Sequence, residues 1–273
     1  MDEKQKIIRA ALIILFVLVV IGAAYYFFIA GRSAESPGAG ETPLPGQKTA
    51  AEEALGKEGP AAPVLTVALD ASDNAVRGLA AELSTNAVFG QWLKSKDLLR
   101  RFAAAVDNIA NGQSPRPQFD FFTLSGEFKV VSRGGRLTLD TSTYDRYNAI
   151  TDVFDSLSTS GCARAYASAK PLLQQAYREL GYPKEDFNQT LLRAIIEILR
   201  APIVDDPIIV EKGVTTYLMV DPKLEDLSPA QKHLLRMGPE NLQLIQAKLR
   251  EIALALGFGE AQLPRPRLYT PQK

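Results

Sequence analysis

The sequence predicts a mainly α (α+β) fold: a multi-helix domain with a small antiparallel β element, preceded by one transmembrane helix and a disordered linker. Three observations lead to this prediction. An uncharged apolar stretch near the N-terminus is followed by a stretch rich in Pro, Gly and Ala. Apolar residues then recur at helical spacing over several segments. In two places the spacing changes to a period of two around a glycine, which is typical of hairpins.

The chain divides where its composition changes. The predicted parts are, in order, a cytoplasmic N-terminus (1–9), a transmembrane helix (10–30), a Pro/Gly/Ala-rich linker (31–63), an exported helical domain (64–263) and a flexible tail (264–273). The domain has about 200 residues, which is long enough to bury a core of its own.

The transmembrane helix is predicted from Ala10 to Ala30, which contain no charged residue. A helix of this length spans about 30 Å, the thickness of a bilayer core. Basic residues mark the cytoplasmic side of such a helix. Lys4, Lys6 and Arg9 precede it, whereas only Arg32 follows closely. We therefore expect the N-terminus to stay in the cytoplasm and the rest of the chain to be exported.

A cleaved signal peptide is the alternative interpretation of this stretch. Signal peptides have a shorter apolar region and small residues at positions −3 and −1 of the cleavage site. Cleavage after Ala30 would place Phe28 at −3, and cleavage after Ser33 would place Arg32 between the two small residues. The retained anchor is the preferred interpretation.

Between the anchor and the domain, Gly31 to Pro63 are rich in Gly, Pro, Ala and Glu. Such a composition cannot bury apolar surface, so we expect a disordered tether. The formal net charge of the chain is +0, which gives no reason to expect nucleic acid as a partner. Cys162 is the only cysteine, so no internal disulfide is possible, and a buried, inert thiol is preferred over pairing with another chain.

Apolar periodicity predicts the helices of the domain, and capping residues predict several of their ends. They are a helix over 75–83 with Asp70 and Ser72 as caps, 96–109, 144–157, 163–180 with Pro171 as a kink or a start, 184–200 after Pro183, one from Ser228-Pro229 and one from Gly238-Pro239. The last carries apolar residues at Leu242, Ile245, Leu249, Ile252 and Leu256. This spacing is compatible with a coiled-coil seam, but a core helix is preferred because two heptads are short for an independent coil.

Two hairpins interrupt the helices. Segments 127–131 and 136–139 flank Arg133-Gly134-Gly135, and segments 208–210 and 215–220 flank Glu211-Lys212-Gly213. Because a single hairpin is marginally stable in water, we expect the two to join into one small antiparallel sheet.

The search for catalytic chemistry yields no assembled site. His233 is the only histidine, so neither an HExxH motif nor a multi-histidine metal site is possible, and an exposed or capping histidine is expected. Walker A, G-x-G-x-x-G and G-x-S-x-G motifs are missing from the sequence. We therefore predict no cofactor, no metal and no catalytic residue. The carboxylates that could act in pairs, for which turns and helix caps are the preferred interpretation, are Asp205, Asp206, Asp221, Glu225 and Asp226.

Binding is predicted from basic and aromatic side chains. The candidate surface consists of Trp92, Arg100, Arg101, Lys232 and Arg236. Guanidinium and ammonium groups bind anions or the carboxylates of a partner, and an exposed tryptophan favours a partner surface. The alternative is that the basic residues lie on ordinary solvated helix faces and that the tryptophan belongs to the core.

Three segments carry a resemblance to a known family. They are Trp92 with Asp97 to Gly112 (DLLRRFAAAVDNIANG), Pro171 to Pro183 (PLLQQAYRELGYP) and Asp221 to Ile252 (DPKLEDLSPAQKHLLRMGPENLQLIQAKLREI). In these the chain resembles the bacterial domain of unknown function DUF3014, over roughly Val64 to Gly257. The resemblance implies a Gram-negative envelope protein with one N-terminal membrane helix, a linker and a periplasmic domain. It implies no activity, and no functional residue can be carried over from it.

The leading hypothesis is a single-pass inner-membrane protein whose periplasmic domain is a non-catalytic interaction or scaffold module. Its partner would be an envelope protein or a cell-wall component. One alternative is a binder of a small or polymeric envelope ligand, such as peptidoglycan or an anion. A hydrolase based on two carboxylates is a further alternative, and it would require two acidic groups facing one cleft.

Overall fold

The structure is a computed structural model that describes residues 63–118, 124, 126–205, 207–214 and 216–271. Within them the chain is mainly helical with a small antiparallel four-stranded sheet, as predicted. The predicted anchor, and the predicted linker up to residue 62, lie outside the described residues. Among the residues that are described, none of the helices has the length and apolarity needed to cross a bilayer.

The helices follow the predicted order, with boundaries shifted by a few residues. They are α1 (Asp73–Ala81), α2 (Ala87–Trp92), α3 (Leu98–Ala110), α4 (Asn148–Asp155), α5 (Thr159–Glu179), α6 (Phe187–Leu199), α7 (Pro222–Glu225), α8 (Pro229–Leu235) and α9 (Pro239–Ala255). Short 3-10 helices cover Leu69–Ala71, Arg116–Gln118, Thr141–Tyr147 and Glu260–Gln262. The predicted helix over 144–157 therefore begins as a 3-10 helix and becomes α-helical only at Asn148.

The helix starts show which predicted caps are correct. Ser228 caps α8, because its Oγ accepts the N–H of Gln231 at 3.1 Å. Ser72, predicted as a cap, instead donates its hydroxyl to the Leu69 carbonyl at 2.7 Å. Helix α6 begins at Phe187, where the Asp186 side chain is the cap, and not in the turn that follows Pro183.

Helix α5 continues through Pro171 from Thr159 to Glu179, so the alternative of a helix that starts at this proline is wrong. A proline inside a helix removes one N–H donor of the helical ladder. One turn before the proline, the Ser168 carbonyl also accepts the N–H of Leu65 at 2.9 Å. This bond joins the first described residues to the middle of α5.

The two predicted hairpins form one sheet of order β1-β2-β3-β4, which confirms the prediction. The strands are β1 (Val130–Arg133), β2 (Arg136–Leu139), β3 (Ile209–Lys212) and β4 (Tyr217–Met219). The hairpins are joined where Leu137 pairs with Val210. Gly134 and Gly135 have φ angles of 58° and 78°, which a two-residue turn between right-twisted strands requires.

Two large clusters of buried side chains stabilise the domain, with a third, small cluster formed by Tyr147, Met237 and Ile245. The larger cluster lies mainly between α3, α5 and α6, and the smaller lies beneath the sheet. Helix α9 contributes to both, with Ala253 in the first and Leu242 in the second. Leu242 is 1% exposed and Ile245 is 5% exposed, so the apolar stripe of α9 belongs to the core, as preferred over a coiled coil.

The residues predicted as a flexible tail contact the domain. Leu268 forms a parallel bridge with Ile203, whose N–H donates to the Arg267 carbonyl at 2.8 Å. The Tyr269 hydroxyl donates to Asp221 Oδ2 at 2.8 Å. The chain is therefore attached to the domain at this point, unlike the frayed end that its prolines predict.

Candidate functional site

The five predicted binding residues lie on three different elements. Trp92 ends α2, Arg100 and Arg101 lie in the first turn of α3, Lys232 lies in α8, and Arg236 directly follows α8. Trp92 is half-buried, and its ring meets that of Phe89 edge-on with centroids 6.5 Å apart. The structure therefore does not present these residues as one continuous helix face.

Arg100 is neutralised by carboxylates of its own chain. Its guanidinium contacts Asp70 Oδ1 at 2.5 Å, Glu179 Oε2 at 2.7 Å and Asp97 Oδ1 at 3.4 Å. The hydrogen bonds to Glu179 and then to Asp70 raise the pKa of Arg100. A guanidinium with these partners joins elements of the domain, whereas the sequence offered only a binding surface or an ordinary solvated helix face.

One partner of Arg100, Asp97, directly precedes α3, and the nearby Asp73 organises this turn. Asp97 has a left-handed backbone with φ of 55°, which is uncommon outside glycine. Asp73 stabilises it by accepting the N–H groups of Asp97 and Leu98, each at 3.0 Å. We call Asp70, Asp73, Asp97, Arg100 and Glu179 the arginine–acid corner.

Lys232 and Arg101 are also bonded within the chain. Lys232 Nζ lies 2.7 Å from Glu225 Oε1, and the other oxygen of this carboxylate accepts the Met219 N–H at 2.8 Å. Burial pushes the pKa of Glu225 upward, but these hydrogen bonds together with the charges of Lys232 and Arg236 outweigh it, so the pKa is lowered. Arg101 donates to the Gln118 carbonyl at 3.2 Å, which joins α3 to the following 3-10 helix.

Arg236 differs from the other predicted residues, because its side chain forms neither a hydrogen bond nor an ion pair with any described residue, and it lies half-buried. Other basic residues are close to it. Arg236 and Arg116 both act on the imidazole of His233, and Arg146, Arg236 and Arg116 all act on the hydroxyl of Tyr147. The group that we call the basic cluster consists of Ser114, Arg116, Arg146, Tyr147, His233 and Arg236.

His233 lies at the centre of the basic cluster. It is half-buried and not exposed, which corrects the sequence prediction. Its Nδ1 lies 3.1 Å from Ser114 Oγ, which also accepts the Arg116 N–H at 3.3 Å. Burial first, and then the charges of Arg236 and Arg116, lower the pKa of His233. The imidazole is therefore neutral at pH 7.

The chemistry of the basic cluster favours binding of an anion. Guanidinium groups and hydroxyl groups supply hydrogen-bond donors around a partly buried position. A serine beside a neutral histidine also resembles part of a catalytic triad, but a triad needs a carboxylate that orients the histidine. No described carboxylate hydrogen-bonds to His233. The basic cluster therefore supplies hydrogen-bond donors, but no described carboxylate completes a triad with Ser114 and His233.

The carboxylates considered as catalytic pairs serve as caps and ion pairs where they are described. Asp221 caps α7 by accepting the Lys223 N–H at 2.9 Å, where the sequence predicted a turn leading to a helix cap. Glu225 is bonded to Lys232, and Asp205 is exposed. Asp206 lies outside the described residues.

A second polar group that sequence analysis missed connects α3 to the loop between α5 and α6. The Tyr182 hydroxyl lies 3.4 Å from Asp107 Oδ2, and the Tyr177 hydroxyl lies 3.3 Å from Glu185 Oε2. The two tyrosine rings stack with centroids 4.8 Å apart. Burial raises the pKa of Asp107. The partners are up to 75 positions apart in the chain, so no sequence pattern indicated the contact.

Cys162 is half-buried and burial raises the pKa of its thiol, which agrees with the inert thiol that was predicted. Among the described residues, no group of three or more His, Cys, Asp or Glu is arranged to hold a metal ion. A groove of about 410 Å³ lies between the C-terminal half of α1 and the segment 84–94.

Comparison with known proteins places most of the domain in a family. The family model described as "Protein of unknown function (DUF3014)" matches residues 98–253, which is more than half of the chain. No curated protein and no solved structure matches the chain significantly. The match begins at the first residue of α3 and ends within α9, so it includes both hairpins and the basic cluster.

Proposed function

The chain belongs to the DUF3014 family, and from this premise we propose that it is a membrane-anchored envelope protein whose exported domain is a non-catalytic interaction module. The proposed binding surface is the basic cluster. A single observation carries this assignment: Arg236 is half-buried, forms no ion pair with a described carboxylate and acts on the same Tyr147 hydroxyl as Arg116 and Arg146. Its ligand is accordingly an anionic group on a protein or a cell-wall polymer.

The location of the protein is part of the proposal. The uncharged stretch Ala10 to Ala30 supports an inner-membrane anchor, and the basic residues before it support a cytoplasmic N-terminus. The domain would then stand in the periplasm on the linker of residues 31–63. An anchored domain with an anion-binding surface is suited to hold an envelope component close to the membrane.

The electrostatics of the basic cluster support a partner with negative charge. Positive charges held close together repel one another, and an incoming anion relieves this repulsion while it accepts their hydrogen bonds. The pKa of His233 is lowered because its protonated form would add one more positive charge to a partly buried position. A carboxylate or phosphate group at this position would reverse that effect.

Site-specific photo-cross-linking of the full chain in intact cells tests the proposal. A photoreactive residue replaces Pro117, which is exposed beside Arg116. We expect a discrete cross-linked partner that is lost in the double variant Arg116→Ala, Arg236→Ala. The matched control is Arg133→Ala, Arg136→Ala, which removes the same charge from the exposed tip of the first hairpin.

The chemical class of the partner is tested with purified components. The full chain in nanodiscs is mixed with the identified protein or with isolated peptidoglycan, at low and at high salt. Binding through the basic cluster weakens as the salt concentration rises and weakens again in the Arg116→Ala, Arg236→Ala variant. Binding that is insensitive to both changes would contradict the proposal, as would equal loss in the control variant.

A small-molecule or cell-wall ligand remains the second candidate function, because the same donors suit a free anion. Saturable binding of isolated peptidoglycan that depends on Arg236, with no protein cross-link in cells, would favour this candidate over a protein partner.

A further inference from the structure

The groove along α2 is a second candidate binding site, separate from the basic cluster. Its floor and walls are formed by small and apolar residues, which are Ala81, Ala87, Phe89, Gly90 and Leu93. Arg77 and Lys94 lie at its rim. Its volume of about 410 Å³ is within the range of about 300–1,000 Å³ that is usual for small ligands.

Helix α2 leaves apolar surface in contact with water. None of its six residues is fully buried, although five of them are Ala, Val, Phe, Gly and Trp. Apolar surface removed from water stabilises a complex by about 25 cal/mol per Å². A ligand that covers Phe89 and Leu93 is therefore stabilised by removing their apolar surface from water.

Gly90 keeps the groove open. It lies within α2, where glycine destabilises a helix by about 0.5–1 kcal/mol relative to alanine. A Cβ atom built at Gly90 meets nothing within 4 Å, and its φ is not positive, so neither packing nor backbone conformation requires glycine here. The absence of a side chain at Gly90 leaves this part of the groove unfilled.

The charge at the rim of the groove is positive. Lys94 is exposed and has no ion pair with any described residue. The Arg77 guanidinium is fixed at the rim by hydrogen bonds to the carbonyls of Leu93 and Ser95, at 2.7 and 2.9 Å, and it is paired with Asp73. No carboxylate side chain lines the groove. An anionic group on the ligand is therefore complementary to Lys94.

We propose that the α2 groove binds a short apolar peptide with a free carboxylate, placing an apolar side chain against Phe89 and Leu93 and the carboxylate at Lys94. The Thr85 hydroxyl lines the groove, whereas the Ser84 hydroxyl is bonded to Ser156 Oγ at 2.6 Å and accepts the Asn86 N–H at 3.0 Å. The Thr85 hydroxyl can hydrogen-bond to a peptide amide, whereas a hydrocarbon chain would cover it without supplying a partner. This site does not depend on the basic cluster or on the function proposed for it.

Trp92 provides a direct signal for occupancy of the groove. It is the only tryptophan of the chain, and its ring meets that of the groove residue Phe89 with centroids 6.5 Å apart. The full chain in nanodiscs is titrated with acetyl-Ala-Leu-Leu carrying either a free carboxylate or a carboxamide. Emission of Trp92 and titration calorimetry are recorded in parallel. We expect saturable binding of the carboxylate peptide and an affinity about tenfold lower for the carboxamide.

Paired variants locate the binding to the groove. Gly90→Leu fills the groove and Lys94→Ala removes its unpaired charge, and each lowers the affinity about tenfold. The matched controls are Gly78→Leu and Lys96→Ala. Gly78 is a helical glycine whose Cβ would also meet nothing within 4 Å, and Lys96 is an exposed lysine that does not line the groove. Circular dichroism and a thermal unfolding scan confirm that each variant is folded.

Several results would overturn the peptide site. They are the absence of a saturable signal in both measurements up to millimolar peptide, equal affinity for the carboxylate and the carboxamide, or unchanged affinity in folded Gly90→Leu and in Lys94→Ala. Decanoate is titrated as a competing class of ligand. Saturable binding of decanoate without binding of the peptide would assign the groove to a lipid-like anion and reject the peptide.

Discussion

The arginine–acid corner and the basic cluster look alike in sequence and differ in the folded domain. Arg100 and Arg236 each lie at an end of an amphipathic helix, beside other basic residues. Arg100 contacts three carboxylates of its own chain, whereas Arg236 contacts none among the described residues. The comparison teaches that a run of basic residues does not by itself indicate a binding surface, because the fold can supply its counter-charges.

The two regions also differ in how their backbone turns are stabilised. In the arginine–acid corner, Asp73 accepts two N–H groups at the start of α3 and so stabilises the left-handed Asp97. In the basic cluster, the chain turns from α8 into α9 at Gly238, where no side chain caps the helix. The turn at Asp97 is stabilised by the carboxylate of Asp73, whereas the turn at Gly238 depends on the absence of a side chain.

The largest effect is expected for Gly238→Ala, which breaks the turn beside Arg236. Gly238 has a φ of 84°, and a Cβ atom there would lie 2.5 Å from Tyr144 Cγ. Backbone strain and overpacking together should lower the free energy of unfolding by about 2–5 kcal/mol. Urea denaturation of the full chain measures this loss.

Gly257→Ala is the control for Gly238→Ala. Gly257 also has a positive φ, of 90°, but its Cβ would meet nothing within 4 Å. Only the backbone cost of about 1–2 kcal/mol should remain. Equal losses in the two variants would show that contact with Tyr144 is not what makes Gly238 necessary.

A smaller effect is expected for Asp73→Ala in the arginine–acid corner. The substitution leaves the N–H groups of Asp97 and Leu98 without their acceptors and should lower the free energy of unfolding by about 1–2 kcal/mol. Asp73→Asn retains an acceptor oxygen and should recover part of this loss in the same urea measurement. No difference between the two variants would argue against capping of α3 by Asp73.

The comparison is tested directly by Arg100→Ala and Arg236→Ala. Exposed ion pairs contribute about 0.2–1 kcal/mol each, so Arg100→Ala should destabilise the domain by about 1 kcal/mol, and less at high salt. Arg236→Ala should leave stability within about 0.5 kcal/mol or raise it slightly, because it relieves repulsion. Losses of similar size in the two variants would remove the distinction between the two regions.

The smallest effect is expected in the pH dependence of stability. The pKa of His233 is lowered in the folded domain by burial and by Arg236 and Arg116, whereas in the unfolded chain it is about 6.5. Below this value the unfolded chain binds more protons than the folded domain, so the free energy of unfolding decreases as the pH falls from about 6.5 towards the lowered pKa.

His233→Gln should remove this slope and leave stability at pH 8 little changed. Since His233 is the only histidine of the chain, a slope near pH 6 that is lost in the variant can be assigned to it. Urea midpoints between pH 5 and pH 8 measure the slope. An unchanged slope in His233→Gln would show that protonation of this imidazole does not lower the free energy of unfolding.

Much of the fold could be predicted from sequence because its signals are local. Gly134-Gly135 predicts a tight hairpin turn, and Ser228-Pro229 predicts a helix start, in each case from neighbouring residues alone. Helix α2 and the four-residue α7 were not predicted as helices, because helices this short gain little from propensity and are stabilised by their surroundings. The position where α4 becomes α-helical was missed for the same reason.

The candidate sites were less predictable than the fold. Arg236 was among the predicted binding residues, but Arg116 and Arg146 lie in 3-10 helices that carry no periodic signal. His233 was expected to be exposed or to cap a helix, and nothing in its neighbours indicated Ser114, which is 119 positions away. The α2 groove depends on Gly90, and the sequence around this glycine does not reveal empty space beside it.

By itself the sequence determined where the longer helices and the hairpins lie and which family the chain resembles, because periodicity, caps and glycine turns depend on residues a few positions apart. Only the tertiary structure decided which cations are neutralised. The carboxylates that neutralise Arg100 include Glu179, which is 79 positions away, while the loop and helix around Arg236 bring further arginines. Electrostatic interactions depend on distance in space, and no local pattern records that distance.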